Sequence, residues 1–138
     1  MKMTGLDHIT VNVKDLDRSK AFYGDVLGLK EAGSVQMGDH TLTYYELPQG
    51  VRLELIDYEA KEEPKDIKET DTGTYRHFCL VAAQLDEVYS TCRNKGVSIR
   101  KPLPMWTSWD AGPCLLQIRT VSRLKSYKGD GYGIFSWN

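Results

Sequence analysis

Leu6-Asp7-His8-Ile9-Thr10-Val11-Asn12-Val13, together with Thr74-Tyr75-Arg76-His77-Phe78-Cys79-Leu80 further along, decides how this chain is expected to fold. In the first stretch Leu6, Ile9, Val11 and Val13 supply apolar side chains, while His8, Thr10 and Asn12 share the other face. An alternation of period two predicts a strand with one greasy and one polar side. Asp15 then offers an N-cap, Leu16, Ala21, Phe22 and Leu27 recur at helical spacing, and Gly28 suits a left-handed helix stop. Three strands are expected next, over Lys30–Met37, Thr41–Leu47 and Val51–Tyr58, separated by Gly38-Asp39 and by Pro48-Gln49-Gly50. The second stretch opens a similar series. Tyr75–Ala82 reads as a strand, and Gln84–Lys95 as a helix with Leu85, Val88 and Cys92 on one side, ended by Gly96. Val97–Arg100 and Pro113–Arg119 read as further strands.

The two series are copies of one another. His8 matches His77, and Leu16-Asp17 matches Leu85-Asp86, both at an offset of 69 residues. Gly28 matches Gly96, one residue out of step. Similarity at a fixed offset signals a duplicated unit. One half, of roughly 60 residues, is marginal as a domain alone, whereas two can bury their sheet faces together. The expected layout is a single domain over 1–138, with module one at 5–58, a linker at 59–74 and module two at 75–138. The linker reading rests on Lys61, Glu62, Glu63, Lys65, Asp66, Lys68 and Glu69, a charged run that suits a solvated loop.

Composition narrows the function classes. Lys and Arg number 18 against 19 Asp and Glu, a net charge of −1. That balance offers no electrostatic footprint for nucleic acid or an anionic membrane. No apolar run is long enough to span a bilayer. Met1-Lys2-Met3-Thr4-Gly5 carries no signal-peptide core. Cys79, Cys92 and Cys114 are odd in number and lack CxxC spacing, so reduced thiols in a cytoplasmic protein are expected.

The first series, continued through Leu16-Asp17-Arg18-Ser19 and Phe22-Tyr23…Leu27-Gly28-Leu29, resembles the glyoxalase/bleomycin-resistance/extradiol-dioxygenase (vicinal oxygen chelate) superfamily. Val51-Arg52-Leu53-Glu54-Leu55 resembles the fourth strand of glyoxalase I, whose central Glu binds metal. Thr74–Leu80 resembles the strand that opens the second module, whose His also binds metal. The likeness runs over roughly residues 5–119. It implies an α+β fold of two tandem βαβββ modules, forming a curved mixed sheet around an open cavity. It further implies one divalent metal ion held by His8, Glu54 and His77, a small-molecule substrate that chelates it through adjacent oxygens, and a homodimer as the assembly to expect. Two histidines and a carboxylate suit Zn, Ni, Co, Mn or Fe and do not choose among them.

Each residue has a plainer reading beside this one. An isolated His on a strand is most often a partly buried, hydrogen-bonded histidine; the repeat and the resemblance tip His8 and His77 towards ligands. Alternation groups Glu54 with Arg52 and Ile56. It suits either a metal-binding, catalytic carboxylate or a wet-face carboxylate paired with Arg52 or a lysine. Cys79 suits a small buried apolar residue. Trp106 and Trp109, in the loop Met105–Trp109, suit either two anchoring indoles or a wall over an organic substrate.

The chain departs from the family at its end. Relatives close with an Asp-Pro-Asp-Gly-like turn and a strand bearing a last Glu. Here the equivalent position falls near Tyr127 without a gap, or on Phe135 if Gly129-Asp130-Gly131 is the turn. After Asp110, Asp130 is the one acidic side chain. Three function classes follow. The first is a glyoxalase-like metal-dependent lyase or isomerase, with Glu54 catalytic. The second is another metal-dependent member, a ring-cleaving dioxygenase or thiol transferase. The third is a metal-free antibiotic- or small-molecule-binding protein of the bleomycin-resistance type.

Overall fold

In the computed structural model, which describes residues 2–62, 70–73, 75, 78–97 and 115–118, the opening alternation forms β1 (His8–Asn12). The chain then enters α1 (Leu16–Lys20), whose cap is Asp15: its Oδ1 accepts from the Arg18 N–H at 2.9 Å. An Asp here satisfies one of the orphan donors of the first turn and is worth about 1 kcal/mol. The helix does not run on as α to Gly28, as the spacing suggests. It widens into a π-turn over Ala21–Val26, closed by Leu27 N–H to Phe22 C=O at 3.0 Å and Leu29 N–H to Tyr23 C=O at 3.0 Å. Gly28 follows at φ +70, the left-handed stop expected of it.

The remaining strands of the first unit are β2 (Glu31–Met37), β3 (His40–Glu46) and β4 (Arg52–Tyr58), each starting or ending one residue from its expected bounds. Their order is β1-β4-β3-β2, with β1 parallel to β4 and the other pairs antiparallel. This is one βαβββ module around an open four-stranded mixed sheet. A bulge interrupts the β2–β3 register between Glu31 and Gly33, where Gly33 takes φ +146.

The core lies on one face of this sheet. Val11, Thr43, Tyr45, Leu53 and Leu55 point to it and are almost wholly removed from solvent. The helical segment covers them, and Tyr23 leans on Tyr45 with 6.2 Å between ring centroids. Phe22 and Tyr23 are adjacent in sequence yet both buried. An α-helix turns neighbours about 100° apart, and the extra residue of the π-turn brings both aromatics inward. Each such side chain contributes roughly 1.5–3 kcal/mol by leaving water. Leu6 is a correction: it has the same parity as His8 and is exposed.

Contacts divide the chain into two compact units, Met1–Glu62 and Glu63–Asn138. In the second, β5 (Phe78–Val81) pairs antiparallel with β6 (Leu115–Ile118), in register Phe78↔Ile118. Between them lies α2 (Leu85–Asn94). Gly96, at φ +72, closes it with Val97 N–H bonding Cys92 C=O at 2.8 Å. Phe78, Cys92 and Val97 are the buried apolar residues described here. The β1–β4 pairing is parallel, whereas the strand pairing described in the second unit is antiparallel; most of Val97–Arg100 and the whole loop Met105–Trp109 lie outside the described residues. Of the linker, 59–62 and 70–73 are described, and all eight residues are exposed.

The π-turn explains the slip in the repeat. Leu16 to Gly28 spans one residue more than Leu85 to Gly96, and the first helix absorbs that residue by widening while α2 stays α-helical. A π-bulge is an insertion of this kind.

Candidate functional site

The face of the first sheet opposite the core carries polar groups, and strand register brings them together. β1 and β4 run parallel with His8 beside Arg52 and Thr10 beside Glu54; β3 adds Tyr44 beside Glu54. Because partners in register point the same way, His8, Thr10, Arg52, Glu54 and Tyr44 share this face. Thr10 Oγ1 donates to Glu54 Oε2 at 2.7 Å, and the Tyr44 hydroxyl donates to the same carboxylate.

Glu54 is 9% exposed. The wet-face alternative is therefore corrected: this carboxylate is buried and hydrogen-bonded, and the ion pair of Arg52 goes to Asp7. Burial pushes the Glu54 carboxyl up, but the bonds from Tyr44 and Thr10, with His8 and Arg52 nearby, outweigh it and hold it below the ordinary carboxylate value. Its anion is thus the favoured form. The same bond raises the Tyr44 phenol, since losing its proton would set two negative charges against each other.

His8 is half-exposed, and its Nδ1 lies 2.7 Å from Asp7 Oδ2. Arg52 Nη2 donates to that same Asp7 oxygen at 2.7 Å, and the Asp7 carbonyl accepts from the Arg52 N–H at 2.9 Å. The His8 and Arg52 bonds together hold the Asp7 carboxyl below its ordinary value. In the neutral tautomer that donates an Nδ1 proton to Asp7 as a hydrogen bond, the lone pair of the imidazole is on Nε2, the arrangement typical of a metal-ligating histidine. The Arg52 guanidinium lies 5.4 Å from the centroid of the Tyr44 ring, a cation–π contact.

An imidazole nitrogen and a buried carboxylate on neighbouring strands fit a divalent cation of the borderline kind. Among the described residues these two come without a third His, Cys, Asp or Glu to complete a cluster. His77, Trp106 and Trp109 lie outside the described residues. Thr10, Tyr44, Asp7 and Arg52 have places in the site that the sequence reading did not assign. Tyr44 had a signal in the alternation of its strand; Asp7 and Arg52 meet only through the β1–β4 register. A separate cleft of about 450 Å³ on the helix side is lined by Asp17, Lys20, Gly24, Asp25, Glu31 and Tyr45 among others. It shares no residue with the polar face, has no imidazole or thiol in its lining, and is crossed by a Lys20–Glu31 ion pair of 3.0 Å.

Comparison with known proteins agrees with this architecture. The trypanothione-dependent glyoxalase I of Leishmania major is similar at 23% identity over 96% of this chain and 84% of that one, with a TM-score of 0.64. A glyoxylase/bleomycin resistance protein/dioxygenase domain from a Frankia species is similar at 20% identity, over 88% and 93% of the two chains, with a TM-score of 0.60. A mutant of the fosfomycin resistance protein FosX from Listeria monocytogenes, solved with Mn(II) and a dihydroxypropylphosphonic acid, is similar at 22% identity, over 76% and 79%, with a TM-score of 0.54. At these identities the likeness is one of fold. The sequence profile of the glyoxalase/bleomycin resistance protein/dioxygenase superfamily matches residues 5–108, well over half of the chain, and the protein belongs to that superfamily.

Proposed function

We propose that the protein is a glyoxalase-like metal-dependent lyase or isomerase, acting on a small substrate that presents two adjacent oxygens. His8 and Glu54 hold the ion, one of Zn, Ni, Co, Mn or Fe, and the sequence repeat nominates His77 as a third ligand. The observation that carries this reading is the pairing on one sheet face of an imidazole with its Nδ1 tied to Asp7 and a buried carboxylate kept anionic by two hydroxyl donors. When bound, such an ion acts as a Lewis acid that stabilises negative charge developing on the substrate oxygens. The chain's own part is to orient and to hold charge. Asp7 fixes the His8 ring, while Thr10 and Tyr44 fix the Glu54 oxygens and lower their basicity. A carboxylate held in this way is a better anchor than proton acceptor, so any proton movement assigned to Glu54 proceeds from a weakened base. The layout as one domain of two modules, the action of Trp106 and Trp109 as a substrate wall, the homodimer and a cytoplasmic setting belong to the same proposal.

A second reading is favoured by one observation, the single acidic residue Asp130 after Asp110. Without the closing Glu of relatives, the protein would bind a drug or metabolite and carry out no reaction. Metal analysis separates the two. After loading and desalting, wild type is expected to retain about one divalent ion per chain and His77→Ala close to none. Equal retention by the two would remove His77 from the site; no retention by wild type would favour the metal-free binding protein. A hemithioacetal assay on loaded protein then separates glyoxalase-like chemistry from the other metal-dependent members, including a fosfomycin-resistance type.

A further inference from the structure

From the polar face we infer that Arg52 is a positioning residue that couples the two proposed ligands of the first unit, His8 through Asp7 and Glu54 through Tyr44. This rests on the metal-binding reading above and goes beyond it in assigning Arg52, Asp7 and Tyr44.

The geometry forms a continuous chain. His8 Nδ1 bonds Asp7 Oδ2 at 2.7 Å, and Arg52 Nη2 bonds the same oxygen at 2.7 Å. The guanidinium lies against the Tyr44 ring at 5.4 Å, and the hydroxyl of that ring donates to Glu54. The backbone reinforces the near end, since the Arg52 N–H donates to the Asp7 carbonyl and His8 and Arg52 are register partners. Each link has a separate physical task. Asp7 without Arg52 is an exposed carboxylate with many rotamers, and a second donor on its Oδ2 selects the one that faces His8. A planar fork can bond Asp7 and stack on Tyr44 at once, which the compact ammonium of a lysine does not reproduce. The stacked Tyr44 is in turn restrained where its hydroxyl meets Glu54. An ion taken up by His8 and Glu54 thus meets two side chains whose rotamers one arginine has already narrowed, so less ordering is needed on binding.

Five variants test this with Co(II) as the probe, followed by its visible absorption bands in competition with a chelator. Arg52→Lys, which keeps the charge, and Arg52→Gln are each expected to weaken Co(II) binding by about 10–100-fold, the usual cost of losing a partner behind a metal ligand. In a background of Asp7→Asn with Tyr44→Phe, Arg52→Gln is expected to cause little further loss, because the links it acts through are gone. A purely structural role would give equal losses in both backgrounds, with matching drops in the unfolding midpoint of the metal-free protein, and would overturn the inference. If Arg52→Gln fails to fold, Asp7→Asn alone, at an exposed position, decides: unchanged affinity overturns the His8 arm. Co(II) uptake by wild type with unaltered affinity in Arg52→Lys and Arg52→Gln overturns this inference and leaves the metal-binding reading standing. Absence of uptake by wild type overturns both.

Discussion

One strand, β4, has two unlike sides. Leu53 and Leu55 are wholly buried against the helix, Val11, Tyr45 and Thr43. Arg52 and Glu54, the residues between and before them, face a layer of hydrogen bonds and charge shared with β1 and β3. The first side holds the sheet together through loss of water contact, a force without direction. The second holds charges and donors at fixed positions, which under the proposed function serve to bind an ion. The neighbouring Tyr44 and Tyr45 show the same division. Both phenols are raised, Tyr45 first by burial and Tyr44 first by donating to an anion. Similar shifts from different causes mark a structural side and a chemical side.

The division is broken most severely from the core. Leu55→Ala removes a side chain with no exposed surface and is expected to cost about 2–5 kcal/mol. Denaturant unfolding measures this, and metal affinity below the transition is expected to stay near that of wild type. A large change in affinity with little loss of stability would mean that the two faces are not separable. Next in size is the converse, Glu54→Gln. It keeps the shape and removes the charge, so metal affinity should fall at least about 10–100-fold. The unfolding midpoint of the metal-free protein should move far less than in Leu55→Ala. Titration against a chelator alongside a thermal melt tests both halves.

Those two substitutions also show what could be read in advance. Period-two alternation sorts a strand's residues onto two faces, so the placing of Glu54 apart from Leu53 and Leu55 was legible. So was that of His8 apart from Val11. Alternation within one strand does not say which residue of another strand lies alongside. The Asp7–Arg52 contact depends on the parallel β1–β4 register and was therefore hidden. Tyr44 was visible as a strand residue, but its bond to Glu54 needed the β3–β4 register. The π-turn had left two marks, the consecutive aromatics Phe22 and Tyr23 and the one-residue slip between Gly28 and Gly96. A search for 3.6-residue periodicity passes over both, because it assumes that each turn contains the same number of residues.

The smallest expected effect concerns pH and the core side alone. Burial raises the Tyr45 phenol from its ordinary value of 10.0, with Glu31 and Asp25 adding to the shift. A folded-state value above the unfolded one means that the native state holds the proton more tightly. The contribution is complete below pH 10 and is lost as pH rises through the folded-state value. Stability followed by denaturant across that alkaline range should decline in wild type and less steeply in Tyr45→Phe. Parallel declines in the two would assign the alkaline loss to other groups, among them the buried Cys92 thiol, which burial also pushes up.

Gly33 has a consequence for behaviour in concentrated solution. Among the described residues β2 is the outer strand of its sheet, and all seven of its residues are exposed, Val35 and Met37 included. A straight outer strand with apolar side chains is a template on which other chains can add strands and grow into aggregates. The bulge between Glu31 and Gly33 breaks the regular hydrogen-bonding edge into a shorter run. A backbone at φ +146 is open to glycine and strained for any residue with a Cβ. The same glycine that weakens the strand therefore guards it, and a regular, bulge-free β2 would gain a little local order at the cost of a tendency to come out of solution.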